Sequence, residues 1–166
     1  FDVPHSRWNK VTPEQFQAAG LNTLVESDVG VHLATSSDGI RFVFFQGHQE
    51  YDTVSLLKEY KRDLNLYAQG KLPEPPPYPD NYLSSQAMAI LGEYRLKLEA
   101  ATAQGKPIPQ FPEARISGLL DNTWHDTAEA VVGNWLGCIY QITHSDRRVP
   151  YMEGIDLHDP LGINNG

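Results

Sequence analysis

The apolar positions of this chain change period as one moves along it. Between Leu21 and Thr35 they alternate: "TLVES" and "VGVHLATSSDG" set Val29, Val31 and Leu33 at period two, which predicts two short strands. The "SSDG" turn at Ser36 to Gly39 leads into "IRFVFFQ", whose nearly unbroken apolar run predicts a third strand covered on both faces, as in a parallel sheet or an α/β domain. From Asp52 the period becomes helical. In "DTVSLLKEYKRDLNLYAQG" the residues Val54, Leu57, Tyr60, Leu64 and Tyr67 form one stripe, with Asp52 placed to cap the start and Gly70 to stop the end.

The organisation then changes. "KLPEPPPYPDNY" carries five prolines between Pro73 and Pro79 and predicts an extended, exposed connection, because proline neither continues a helix nor donates to a ladder. Ser84 to Gln104 reads as a helix rich in Ala, Leu, Glu and Lys, closed by Gly105 and Pro107. A second proline-bearing stretch, "KPIPQFPEAR", precedes "DNTWHDTAEAVVGNWLGCIYQIT". There Asp121 or Asn122 can cap, and Ala128, Val131, Val132, Trp135, Leu136, Cys138 and Ile139 predict a buried helix. The tail from His144 is polar and glycine-rich and is expected to wrap the surface. No internal repeat is present.

Composition narrows the function classes. The 166 residues hold 13 Lys and Arg against 21 Asp and Glu, a formal charge of -8 with no basic run, so no phosphate-neutralising face is on offer and nucleic acid is not an expected partner. No apolar stretch nears the roughly 20 residues that span a bilayer, and no signal-peptide pattern opens the chain, so a soluble cytoplasmic protein with no membrane partner is expected. Cys138 is the single cysteine and cannot form an internal disulfide. The chain opens "FDVPHSR" without a methionine, and the expectation is that it begins inside a larger protein.

The residues able to carry chemistry are few. His48 and Glu50 follow the apolar strand on a strand-to-helix loop, where ligand crevices of open α/β sheets form, and Gly47 before them permits a sharp exit. A histidine can take a proton from a nucleophile while a carboxylate holds its tautomer, but the same pair is equally readable as a loop histidine and a glutamate favouring a helix N-terminus. Cys138 falls in register with Val131, Trp135 and Ile142, which marks it as a buried inert thiol and not the nucleophile. No G-x-S-x-G elbow occurs, and no histidine spacing suits a metal, so no metal site is expected. "PHSR", Pro4 to Arg7, sets a guanidinium beside a hydroxyl, suited to a carboxylate or else a solvated turn. Arg62 can serve a ligand or simply pair with Glu59 at i, i+3.

Taken together, "VPHSRW", "TLVES", "GVHLATSSDG", "FVFFQGHQEYDTVSLLKEYKRDL" and "NWLGCIYQIT" resemble, in order and spacing, the carboxyl-terminal half of the homoserine O-succinyltransferases and O-acetyltransferases of the class I glutamine-amidotransferase-like type. The likeness covers Val3 to Leu64 and about Trp124 to Thr143. It implies an α/β, flavodoxin-like sheet flanked by helices, of which residues 1–166 form the C-terminal half of one catalytic domain, with 71–122 an accessory proline-rich and helical insertion. It also implies a Cys-His-Glu triad that forms a thioester from succinyl- or acetyl-CoA and passes the acyl group to L-homoserine, in methionine biosynthesis. His48 matches the general base and Glu50 its orienting carboxylate. Ser6 and Arg62 match substrate-binding positions.

The implied partners are L-homoserine, the acyl-CoA co-substrate with no bound cofactor, the N-terminal half that supplies the cysteine, either continuous or cleaved, and a second copy in a homodimer. Gln49 stands where the family usually has proline, and "WHDT" at Trp124 to Thr127 stands for the family's "W-R-S-H". Two rivals remain open: a glutamine amidotransferase domain, separated by a glutaminase assay, and a catalytically silent binding domain of the same fold, separated by CoA-thioester consumption.

Overall fold

The computed structural model describes residues 1–7 and 9–162. The elements in chain order are α1 (Pro13–Ala18), β1 (Asn22–Ser27), β2 (Gly30–Thr35), β3 (Val43–Phe45), α2 (Ser55–Ala68), α3 (Ser85–Ala103), α4 (Glu113–Ser117) and α5 (His125–Ile142). They divide between two compact units, one made of Phe1–Gln49 and the stretch from Trp124 onward, the other of Glu50–Thr123. Among the described residues no helix is long and apolar enough to cross a membrane.

The first unit is built on an antiparallel sheet of order β1-β2-β3. Its central strand is β2, buried from Val31 to Thr35, while β3 lies at the edge with Phe42, Phe44 and Phe45 exposed. This reverses the expectation from the apolar run. "FVFF" is not covered on both faces here, and the strand that is covered carries the mixed sequence "VHLAT". Apolar content shows which residues gain from burial, but the partner surface decides which of them achieve it. Val29, expected in the alternating strand, sits in the β1–β2 turn, 58% exposed.

The helix α1 had no counterpart in the periodicity reading. Thr12 caps it through a reciprocal box, its hydroxyl accepting from the Gln15 N–H and its own N–H donating to Gln15 Oε1 at 2.8 Å, with Pro13 in the first turn. The helix buries Phe16 against Val31 and Ala34. The β2–β3 turn is held by Asp38, whose carboxylate accepts from the Ser36 hydroxyl (2.6 Å) and the amides of Ile40 and Arg41.

Helix α5 forms where its periodicity predicts but is not a buried helix. Ile142 is its one buried residue, and Val132, Leu136 and Tyr140 stand 40%, 53% and 86% exposed. Cys138 is half-buried, not a core thiol. The stripe is real, but among the described residues no strand or helix of its own unit packs extensively against it.

The second unit buries its own stripes. Leu57, Tyr60 and Leu64 of α2 meet Ala87, Leu91, Tyr94 and Leu98 of α3, closed by Ile116 of α4 and Leu120. Ser84 caps α3, and Asp52 receives the Val54 N–H and the Ser55 hydroxyl ahead of α2. Gly70, at φ 71°, ends α2 in the left-handed region. The proline-rich stretch is less exposed than expected. Tyr78 packs on Tyr60 at 5.4 Å between ring centroids and under the Arg95 guanidinium at 5.4 Å, and the Tyr82 hydroxyl donates to the Thr53 carbonyl. Lys61 and Glu113 pair at 2.6 Å on the rim.

Candidate active site

The end of β3 is tied to the opening segment of the chain. Gln46 extends the ladder by donating its N–H to the His32 carbonyl at 2.8 Å. Its side-chain amide donates to the carbonyls of Val31 (2.7 Å) and Val11 (3.0 Å), and its Oε1 accepts the Val11 N–H at 3.1 Å. One glutamine thus fastens the central strand to the segment that leads into α1. Beyond it, the His48 N–H donates to the Pro4 carbonyl at 2.7 Å, and the His48 ring sets Nε2 3.4 Å from the Ser6 carbonyl. A ring nitrogen at this distance from a carbonyl oxygen can donate to it when protonated.

Gly47 is required by close approach. It is buried and does not adopt a positive φ, so a sharp exit from the strand is not its reason. A Cβ there would overlap Val3 Cγ1 and reach 3.0 Å from His32 Nδ1. The missing side chain lets the "VPHSR" segment lie against the strand exit, and that segment supplies both carbonyls that receive His48.

Three histidines gather here. His32, buried on β2, has Nε2 3.2 Å from the Gln49 amide and makes ring contacts with Phe1, His5 and Phe45. Burial, then His5 and the Arg7 charge, hold His32 below its ordinary pKa. Burial and Arg7 likewise lower His5, with His48 adding to the effect against a hydrogen bond at Gln46 that opposes it. Both therefore favour the neutral form. Arg7 reaches the Gln46 carbonyl with Nη1 at 3.4 Å.

Of the four residues singled out from the sequence, His48 and Ser6 are brought together, though through the Ser6 main chain. Glu50 is exposed and opens the second unit, and Arg62 lies on α2 in that unit. Arg62 forks onto Asp63, Nε to Oδ1 at 2.8 Å and Nη2 to Oδ2 at 3.2 Å, so its ion-pair partner is the adjacent carboxylate. Glu59, expected in that role, instead accepts from the Tyr51 hydroxyl at 2.7 Å. His5, His32, Gln46 and Gln49 were missed as site residues. A histidine in the middle of "GVHLAT" was the available signal, since a titratable group on a buried strand needs a partner. Among the described residues no group of His, Cys, Asp or Glu is arranged to hold a metal ion.

Comparison with known proteins adds an independent line. The family profile described as homoserine O-succinyltransferase matches residues 1–145. Curated proteins bearing that name are similar over 98% of the chain: those of Allochromatium vinosum at 58% identity, Thiobacillus denitrificans at 59% and Nitrosococcus oceani at 55%. The chain covers 46%, 45% and 46% of them respectively, so it spans about half the length of the curated relatives it matches. No solved structure matches.

Proposed function

The chain belongs to the homoserine O-succinyltransferase family, and we propose that it supplies the general base and part of the substrate cradle of a succinyl transfer from succinyl-CoA to the hydroxyl of L-homoserine. The observation that carries this reading is the anchoring of His48: a glycine-dependent packing of "VPHSR" on the strand exit receives the backbone and ring of the histidine that stands three residues after β3.

In the proposed sequence a cysteine from the part of the relatives' length outside this chain attacks the thioester carbonyl. His48 takes the thiol proton and returns it to the departing CoA thiolate, leaving a succinyl-cysteine thioester. The homoserine hydroxyl then attacks that carbonyl, His48 takes its proton, and the cysteine leaves as thiolate and is reprotonated. Glu50 orients the imidazole and stabilises its charged form. Ser6 and Arg62 contact the acceptor. Succinyl is favoured over acetyl by the names of the relatives, which are homoserine O-succinyltransferases. Methionine biosynthesis is the setting that reaction would serve.

The same reading proposes that the sheet is one part of a larger flavodoxin-like sheet, with 71–122 an accessory insertion. Its support is the position of β3 at a sheet edge with Phe44 and Phe45 exposed and Phe42 exposed just before it, an arrangement suited to a further strand and a covering layer. In the complete protein, His48→Ala is expected to lower succinyl transfer by roughly three orders of magnitude or more and Glu50→Gln by a smaller factor of about 10 to 100. Wild-type turnover in a correctly folded His48→Ala protein refutes the assignment. Transfer that survives Cys138→Ser, with a succinylated cysteine found elsewhere by mass spectrometry, supports a nucleophile outside this chain.

A further inference from the structure

Two guanidiniums, Arg7 in the first unit and Arg62 in the second, differ in what they already hold. Arg62 already holds one carboxylate, that of Asp63, through Nε and Nη2. Arg7 makes a single hydrogen bond, to the Gln46 carbonyl, at 3.4 Å near the outer limit of that interaction, and pairs with no carboxylate among the described residues. Solvation does not account for this. Arg41 and Arg148 have side chains 61% and 89% exposed and are nevertheless paired, with Asp38 and Asp146, whereas Arg7 is half-buried. A partly desolvated guanidinium with most of its five donors unspent is poised for an anion whose shape fits its fork.

We infer that Arg7 binds a carboxylate of the reactants, either the terminal carboxylate of the succinyl group or the α-carboxylate of the amino-acid acceptor, beside the His48 base. This rests on the reaction proposed above. Three placements support it. Arg7 follows Ser6, whose carbonyl meets the His48 ring. Its Nη1 reaches the residue two positions before His48. The neighbouring imidazoles His5 and His32 are held below their ordinary pKa, in part by the Arg7 charge itself, so the guanidinium is the permanent cation beside them. A carboxylate engaged there would receive two parallel N–H donors from the Arg7 fork.

The test uses the complete enzyme with Arg7→Met and Arg7→Lys, measuring KM for succinyl-CoA and for L-homoserine separately, with kcat and thermal midpoint. Loss of a charge-assisted fork predicts a roughly 10- to 100-fold rise in one of the two KM values for Arg7→Met, with partial recovery in Arg7→Lys. The reactant whose KM rises identifies which carboxylate is held. Both KM values within twofold of wild type in folded variants overturn the inference, as does an equal loss in both KM values and kcat with a lowered midpoint. A readout independent of turnover is saturation-transfer NMR with free succinate and with L-homoserine: binding of one that disappears in Arg7→Met supports the inference, and binding unchanged for both overturns it. A His48→Ala enzyme that still transfers succinyl would refute the proposed function while leaving the NMR result to judge Arg7.

Discussion

The two units of this chain handle their apolar residues in opposite ways. In Glu50–Thr123, α2 and α3 present stripes to each other and α4 closes them, so that Leu57, Leu64, Leu91, Leu98 and Ile116 are each no more than 1% exposed. In the other unit the core is small, Phe16 with Val31 and Ala34, while Phe42, Phe44, Phe45, Leu136 and Tyr140 remain at the surface. The unit with the larger core carries no histidine. All six, His5, His32, His48, His125, His144 and His158, belong to the unit with the smaller one. The larger core and the histidines are thus in different parts of the chain, and the histidines lie in the unit that leaves Phe42, Phe44, Phe45, Leu136 and Tyr140 exposed.

The sharpest way to break this contrast is to cut equal amounts from each side. Leu91→Ala should destabilise the chain by about 2–5 kcal/mol, because a fully buried leucine leaves both a lost transfer term and a cavity. Leu136→Ala on the exposed face of α5 should change stability by no more than about 0.5 kcal/mol. Urea denaturation followed by circular dichroism reads both. Equal costs would mean that α5 is as well packed as α3.

A smaller effect is expected at Gly47. Alanine there should cost about 1–3 kcal/mol through overlap with Val3 and crowding of His32, and it should loosen the Pro4 bond that holds His48. Hydrogen exchange is the check: the His48 amide should exchange faster while Leu91 and Leu98 amides keep their protection. Protection lost equally in both units would end the separation drawn here.

The smallest effect is a pH dependence confined to one unit. His5 and His32 have folded pKa values below the ordinary 6.5, mainly through burial, so the unfolded chain binds more protons on acidification. Stability they contribute is therefore present above the unfolded pKa and is lost as pH falls through about 6.5 towards the folded values. Exchange measured at pH 7.5 and pH 5.5 should show faster opening at Val31 and Leu33 and no change at Leu91. An identical response at Leu91 would show that the histidines are not the cause.

Much of the local structure was legible. The helix read from Ser84 to Gln104 is α3, with those two residues as its caps, because a serine cap, a strong helix-forming interior and a glycine stop all act within a few residues. The cap of α1 was equally local, and the "TPEQ" box was there to be read. The placement of His48 and Glu50 after a strand was also correct in sequence terms, since β3 ends at Phe45 and α2 begins at Ser55.

What failed to be legible was long-range. Nothing in "FVFF" distinguishes a strand with neighbours on both sides from one at an edge, and nothing in the α5 stripe says whether a covering surface lies in the same unit. The chain by itself determined its caps, turns and stripes, because those depend on neighbours three or four residues away. Only the tertiary structure decided that β2 is the central strand, that Val3 and His32 crowd Gly47, that Pro4 and Ser6 receive His48, and that Arg62 is paired while Arg7 is not. Those facts join residues some 15 to 45 positions apart, or set one side chain against another, and side-chain chemistry alone does not specify which groups are brought within 3 Å.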